Sequence, residues 1–136
     1  MRLDVTYHTE VDNLIAGVYP PARPDGIVTL AKDQGILARG TLIGLDENGE
    51  NGKPIGTDFN FKNSVKSAFV LFADTDTDIE EGDSINAQAY TQGNFAVTEI
   101  RLGEGYTLSN TDLVELRKFG IIISGDYPSF IEEEDD

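Results

Sequence analysis

The chain contains no cysteine, no tryptophan and a single histidine. The absence of cysteine excludes disulfide bonds and thiolate metal sites. One imidazole without a thiol is poor material for a zinc site or for a nucleophile paired with a base. The abundant carboxylates leave a general acid–base pair open, but no motif in the sequence indicates one. We therefore predict no catalytic residue, no metal and no cofactor, and a fold stabilised by packing or by association with other chains.

Positive charge is also scarce, since 10 lysines and arginines face 25 aspartates and glutamates, for a formal net charge of −15 at pH 7. This charge favours solubility and repels the phosphates of nucleic acid. No apolar run approaches the roughly 18 residues that a membrane helix needs. Residues 1–10 lack the apolar core of a signal peptide. We expect no direct nucleic-acid partner, no membrane and no secretion by the signal-peptide route.

The 136 residues are enough for one domain with its own core. Residues 26–45 are its most informative stretch, because short apolar bursts alternate there with Gly35, Gly40 and Gly44. Each glycine inside a helix costs about 1 kcal/mol relative to alanine, so short strands are favoured instead. The predicted strands are residues 27–30 and 37–45, with a polar turn at residues 31–34.

Three further strands follow. Residues 64–73 contain an apolar run rich in β-forming residues, which predicts a core strand covered on both faces. Residues 83–91 and 94–100 alternate between apolar and polar positions, which predicts two half-buried strands. The positions expected to point inward are Ile85, Ala87, Ala89, Phe95 and Val97.

The pattern of residues 109–119 predicts one helix. Ser109 is its expected N-cap, and Asp112 three residues later completes a short-armed capping box. Leu113, Val114 and Leu116 form its predicted apolar stripe. A last β-branched strand is predicted at residues 121–123.

Two polar stretches are predicted as surface turns. Residues 46–54 hold two Asn-Gly pairs and a proline, which is typical of a hairpin tip. Residues 74–78 carry aspartates at alternate positions and begin like a calcium loop. Ile79 and Ile85 stand where an EF-hand has its glycine and its bidentate glutamate. An acidic surface turn is therefore favoured, and a structural cation site is the alternative.

The N-terminal segment is predicted to be an arm. Residues 2–8 alternate with period two, as in a half-buried strand. The prolines of residues 19–24 cannot donate to a β ladder and keep the chain extended. We predict that the arm adds a strand to the sheet edge of a partner, and a disordered leader is the alternative. The predicted binding residues are Arg2, Leu3, Asp4, Val5, Thr6, Tyr7 and His8.

Five stretches, in this order, carry a resemblance that covers residues 14–124. They are residues 14–17 (LIAG) with the prolines after them, residues 35–44 (GILARGTLIG), residues 68–71 (AFVL) with the acidic turn ending at residues 82–83, residues 92–95 (QGNF), and residues 116–121 (LRKFGI). Together they resemble the lambda-type bacteriophage head decoration proteins, which cement the capsid.

The resemblance implies a mainly β fold with one short α-helix, of the β-clip or β-tulip type, with an extended N-terminal arm. It implies a homotrimer on the outer capsid surface of an expanded phage head, at three-fold and quasi-three-fold sites. There it would stabilise capsomer contacts against the pressure of packaged DNA, and its arm would bind the major capsid protein. The implied division is an arm with its connector over residues 1–24, a decoration domain over residues 25–125 and an acidic tail over residues 126–136.

Two other functions stay open. β-clip folds include trimeric nucleotide hydrolases, so the fold does not by itself exclude an enzyme; no phosphate-binding glycine-rich motif accompanies it here. A carbohydrate- or cell-surface-binding module is the other alternative, with aromatic contacts drawn from Tyr7, Tyr19, Tyr106 and Tyr127.

Overall fold

The computed structural model describes residues 13–78 and 85–125. The predicted arm residues Arg2 to His8 and the acidic tail lie outside these ranges. The described part is mainly β with one helix, which confirms the coarse fold prediction. Its strands are β1 (Ile15–Gly17), β2 (Gly26–Leu30), β3 (Ile36–Leu37), β4 (Leu42–Leu45), β5 (Lys53–Pro54), β6 (Ser67–Leu71), β7 (Thr75–Asp76), β8 (Ile85–Tyr90), β9 (Gly93–Ala96) and β10 (Ile121–Ser124), and its helix is α1 (Asn110–Lys118).

Five strands form an antiparallel sheet in the order β2-β8-β6-β4-β5. The two edges of this sheet meet, because Gly52, just before the edge strand β5, lies beside Leu30 at the end of the other edge strand, β2. The Gly52 N–H donates to the Thr29 carbonyl at 2.8 Å, and the Ala31 N–H donates to the Gly52 carbonyl at 3.1 Å. We call this contact between residues 29–31 and Gly52 the seam. It closes the sheet into a small barrel, which removes exposed strand edges at that point.

The seam requires glycine at position 52. A Cβ atom there would lie 2.9 Å from the Thr29 carbonyl oxygen and 3.0 Å from methyl carbons of Ile43 and Leu30. Those separations are too short for carbon atoms, so the two backbones approach this closely only where the side chain is missing.

The barrel interior is apolar because alternate positions on each strand point inward. Val28 and Leu30 stand opposite Ala87 and Ile85 in the β2–β8 register. The predicted inward positions on β8 are therefore confirmed. The buried cluster inside the barrel comprises Val28, Leu30, Leu37, Ile43, Leu45, Leu71, Ile85, Ala87 and Ala89.

A second apolar cluster includes residues from the other face of β4 and β6. It also draws on a three-stranded sheet ordered β10-β9-β1, in which β9 runs parallel to β10 and antiparallel to β1. Ala68 and Val70 of β6 belong to this cluster, whereas Leu71 belongs to the barrel interior. The prediction that this strand is covered on both faces is confirmed. The cluster comprises Leu14, Leu42, Ile55, Val65, Ala68, Val70, Tyr90, Phe95, Leu108, Leu116, Ile121 and Ile123.

Two strand predictions are wrong. The single strand expected over residues 37–45 is two strands, since β3 ends at Leu37 and β4 begins at Leu42 in a different sheet. Gly40, with φ +92°, lies between them in a conformation that favours glycine. The strand expected over residues 94–100 ends at Ala96, where the chain enters a 3-10 turn at Val97–Glu99. Val97 is therefore half-buried instead of pointing fully inward.

Helix α1 begins as predicted, with a reciprocal capping box. The Ser109 hydroxyl accepts the Asp112 N–H at 3.2 Å, and the Asp112 carboxylate accepts the Ser109 N–H at 2.9 Å. The Tyr106 hydroxyl donates to the same carboxylate. Burial of the Tyr106 ring, together with this carboxylate, raises the pKa of Tyr106 above its usual range. Leu116 is buried as predicted, but Val114 is exposed, so the apolar stripe is narrower than expected.

Replacing the cap residue, Ser109→Ala, is expected to lower the free energy of unfolding by about 1 kcal/mol. The reason is that the Asp112 N–H loses its acceptor in a place where Asp112 is only 2% exposed. Urea unfolding measures the difference. Thr111→Ala, at an exposed position in the first turn, is the matched control and should change stability by less than about 0.5 kcal/mol. Equal losses in the two variants would contradict a capping role.

Candidate interaction surface

The structure describes the place where the predicted arm joins the domain. Leu14 is 2% exposed and belongs to the second apolar cluster. Its carbonyl accepts the Ala96 N–H at 2.8 Å, and β1 pairs with β9 immediately afterwards. From Leu14 onwards the chain is therefore fixed to the domain.

The proline-rich segment, residues 18–24, is bound to the domain by hydrogen bonds, most of which are accepted by its carbonyl groups. The Arg23 N–H donates to the Gln92 carbonyl at 3.1 Å, and the Thr91 N–H donates to the Arg23 carbonyl at 2.9 Å. Prolines offer no N–H, so side-chain amides of the domain supply further donors. The Asn94 amide donates to the Tyr19 carbonyl at 3.3 Å, the Gln92 amide to the Pro21 carbonyl at 3.1 Å, and the Gln88 amide to the Pro24 carbonyl at 2.6 Å.

This segment and the strand before it expose three large hydrophobic side chains. Val18 is 91% exposed, Tyr19 is 81% exposed, and Ile15 on β1 is 39% exposed. We call Ile15, Val18 and Tyr19 the apolar patch. The three lie within five residues of one another along the chain, and neighbouring exposed apolar side chains mark interaction sites more often than isolated ones do. Because the Asn94 amide already holds the Tyr19 carbonyl, and further bonds hold Pro21 and Arg23, binding there would lose less backbone entropy.

The tyrosines considered for sugar binding have different environments. Tyr19 is exposed within the apolar patch. Tyr106 is half-buried, and its hydroxyl is used in the cap of α1. Tyr7 and Tyr127 lie outside the described residues.

The aspartates of residues 74–78 accept hydrogen bonds from backbone N–H groups. Two of these bonds tie the β7 region to the chain around β3. The surface turn predicted over residues 74–78 is wrong at its centre, because Thr75–Asp76 form strand β7 paired with β3 and Thr77 is fully buried. Within residues 13–78 and 85–125, no group of three or more histidine, cysteine, aspartate or glutamate side chains is placed to hold a metal ion. The bonds join the Arg39 N–H to Asp74 at 2.8 Å, the Gly35 N–H to Asp78 at 3.0 Å, and the Asp78 N–H to Asp76 at 2.9 Å.

Arg39 has a structural role that the sequence does not indicate. Its guanidinium lies over the rings of Phe72 and Tyr90, at 5.6 and 5.5 Å from their centroids. Nη1 also donates to the Phe72 carbonyl at 2.8 Å and to the Tyr90 hydroxyl at 3.0 Å. These charge-assisted bonds and cation–π contacts tie the β3–β4 connection to β8 and to the residue after β6. No sequence signal joins Arg39 to partners 33 and 51 positions away.

A groove of about 660 Å³ runs beside the seam. Thr29 donates to Asn86 across its wall at 3.0 Å. Its described lining has no aromatic ring on which a sugar could stack. The lining residues are Thr29, Leu30, Ala31, Lys32, Glu50, Asn51 and Asn86.

Among the residues that the structure describes, no helix has the length and apolar character needed to cross a membrane.

Comparison of the chain with protein-family models, with curated proteins and with solved structures gave no match. The likeness to head decoration proteins therefore depends on the ordered sequence stretches alone. Membership of that family and the β-clip or β-tulip topology both stay predictions.

Proposed function

We propose that this chain is a capsid decoration protein, which binds as a homotrimer to the outer surface of an expanded tailed-phage head and stabilises capsomer contacts. The observation that supports this most directly is the apolar patch at the base of the predicted arm. An exposed apolar surface on a fixed backbone, next to a segment with strand periodicity, suits docking onto another protein by strand addition. In this proposal the major capsid protein supplies the sheet edge.

The charge of the chain agrees with an outer position. A formal net charge of −15 opposes contact with packaged DNA, whereas the outer surface of a head offers protein and solvent. Each main-chain hydrogen bond of a docked arm contributes about 0.5–1.5 kcal/mol. Trimerisation makes docking of the second and third arms effectively intramolecular, so modest individual bonds give strong total binding.

The proposal assigns residues 1–24 to the arm and its connector, residues 25–125 to a β-clip or β-tulip decoration domain, and residues 126–136 to an acidic tail. Because the backbone is fixed to the domain from Leu14 onwards, the arm reaches a partner through the residues before it. The predicted binding residues Arg2 to His8 precede Leu14 by at most twelve residues, which span at most about 43 Å when fully extended. The edge that these residues bind must therefore lie within that distance of β1.

The test is to mix purified protein with expanded, undecorated heads and to image them. We expect density at the three-fold and quasi-three-fold positions. The double variant Val18→Ser, Tyr19→Ser should lower occupancy at sub-saturating concentration by at least about tenfold, because a buried large apolar side chain contributes about 1.5–3 kcal/mol. Its melting temperature should stay unchanged, since both side chains are exposed in the free domain.

Ile36→Ser is the matched control, because Ile36 is a 69% exposed hydrophobic residue on a different strand, β3. If the wild-type protein gave no density on the heads, the proposed function would be rejected. Equal occupancy by the double variant and the wild type would reject the apolar patch as a contact and leave the arm to be tested separately. Hydrolysis of a deoxynucleoside triphosphate by the purified protein would favour the enzyme alternative instead.

A further inference from the structure

Two Asn-Gly pairs lie in the connection between the antiparallel strands β4 and β5. Asn48 precedes Gly49, and Asn51 precedes Gly52. In such pairs the glycine nitrogen can attack the asparagine side-chain carbon, because glycine adds no side chain to hinder the approach. Each asparagine also follows a glutamate. The local sequence therefore predicts similar reactivity for the two pairs, and any difference must come from the fold.

The Asn48–Gly49 pair is held weakly. Residues 47–51 are exposed, and no atom lies within 4 Å of the position that a Cβ of Gly49 would occupy. The Gly49 N–H makes a single bond, to the Asp46 carbonyl at 2.9 Å within the same turn. In the described part of the chain, the Asn48 side chain makes no hydrogen bond. Freeing this peptide therefore requires only a local opening of the turn.

The Asn51–Gly52 pair is held by the barrel. Gly52 is buried in the seam, where its missing side chain allows the close approach to Thr29 and Leu30. The Asn51 amide donates to the Asp46 carboxylate at 2.8 Å, and this bond is the main cause of a lowered Asp46 pKa. Three hydrogen bonds hold Gly52. Its N–H donates to the Thr29 carbonyl at 2.8 Å, and its carbonyl accepts from the Ala31 N–H at 3.1 Å and from Gln34 Nε2 at 3.0 Å.

We propose that Asn48 is a site of spontaneous deamidation in the folded protein, and that the seam protects Asn51 for as long as the barrel is closed. The Gly49 nitrogen gives its proton to solvent base and forms a bond to Cγ of Asn48. The Cγ–Nδ2 bond then breaks, the nitrogen takes up a proton, and ammonia leaves. One water molecule opens the resulting succinimide to aspartate or isoaspartate. The reaction consumes one water, releases one ammonia and involves no oxidation or reduction.

This inference is independent of the proposed capsid role. The product adds one negative charge next to Asp46, Glu47 and Glu50, where like charges repel one another. Reaction at Asn51 requires Gly52 to leave the seam, so its rate reports the opening of the barrel. Isoaspartate at position 51 would also lengthen the backbone at the seam and change its register.

The test is incubation of the full chain at mildly alkaline pH, followed by peptide mapping for aspartate and isoaspartate at each position. In the folded protein, Asn48 should react at least about tenfold faster than Asn51, which needs only about 1.4 kcal/mol of difference in opening free energy. In concentrated urea, where neither pair is held, the two rates should become similar. Equal rates in the folded protein, faster reaction at Asn51, or no product at Asn48 while the unfolded chain converts would each overturn the proposal.

Gln34→Ala tests the seam itself, because it removes one bond to the Gly52 carbonyl without altering residues 46–51. It should raise the Asn51 rate several-fold and leave the Asn48 rate unchanged. An unchanged Asn51 rate in this variant would count against the seam as the protecting contact. Asn48→Gln is the matched control, which should remove the product at position 48 and leave the Asn51 rate as in the wild type.

Discussion

Removal of residues 1–9 is expected to leave a folded trimer that no longer binds heads. The domain should still fold, because its two apolar clusters are built from residues 14–123. Loss of three main-chain hydrogen bonds at about 1 kcal/mol each would already weaken one arm by about a hundredfold. In the proposed trimer the three arms would bind as a linked set, so the expected loss of binding is larger than for one arm. Co-sedimentation with heads measures binding, and analytical ultracentrifugation measures the oligomeric state.

Period-two variants of the full chain give the matched control. Replacing Leu3, Val5 and Tyr7 together by serine removes the apolar face of the predicted strand and should act like the deletion. Serine at Asp4, Thr6 and His8 changes the other face and should preserve most of the binding. Undiminished occupancy of heads by the deleted protein would contradict the arm prediction, and loss of the trimer would assign the segment to assembly instead.

Phe95→Ala is expected to lower the free energy of unfolding by about 3–5 kcal/mol. Phe95 is fully buried on β9, the central strand of its sheet. Its ring meets the Tyr90 ring edge-on, with the centroids 5.3 Å apart. A Cβ added at Gly93 would lie 2.7 Å from the Phe95 ring, so backbone already packs closely against it. A cavity lined by backbone atoms collapses poorly, so we expect a loss near the upper end of this range.

Urea unfolding measures this loss, provided that the slope of the free energy of unfolding against urea concentration is the same for variant and wild type. Phe61→Ala is the matched control, because Phe61 is half-buried and stacks on Phe119 with the centroids 6.1 Å apart. The free energy of unfolding of Phe61→Ala should fall by only about 1–2 kcal/mol, because a half-buried ring removes less apolar area from water than a fully buried one. A domain of this kind has a free energy of unfolding of about 5–15 kcal/mol, so a loss of about 5 kcal/mol would remove about a third of it or more. A loss for Phe95→Ala no larger than that of the control would contradict its central place in the packing.

Local rules predicted the elements whose causes are local. The capping box of α1 needs only Ser109 and Asp112, three residues apart, and both of its bonds are present. The alternating positions Ile85, Ala87 and Ala89 identify one face of a strand whatever that strand packs against. In the same way, the apolar run of residues 68–71 was sufficient to predict a strand covered on both sides.

The candidate site was predicted only in part. The sequence singled out the residues before Thr9 and the prolines that follow, because periodicity and proline content are visible along the chain. It did not predict that Val18 would be exposed, and it offered Tyr19 as an exposed aromatic only under the carbohydrate-binding alternative. An extended proline-rich segment has no period that identifies its buried side. That choice depends on Gln88, Gln92 and Asn94, which lie far along the chain and bind its carbonyls.

Composition and local pattern were enough to predict the β character of the chain, a capped helix, the excess of negative charge and the lack of thiol chemistry. The closure of a barrel at Gly52, the division of residues 37–45 between two sheets and the contact of Arg39 with two aromatic rings follow instead from tertiary packing. The two sets of features differ in the sequence distance over which their causes act. Side-chain alternation and capping act over a few residues, whereas a barrel seam and a cation–π contact join positions more than 20 residues apart, whose meeting is decided by the packing of the whole domain.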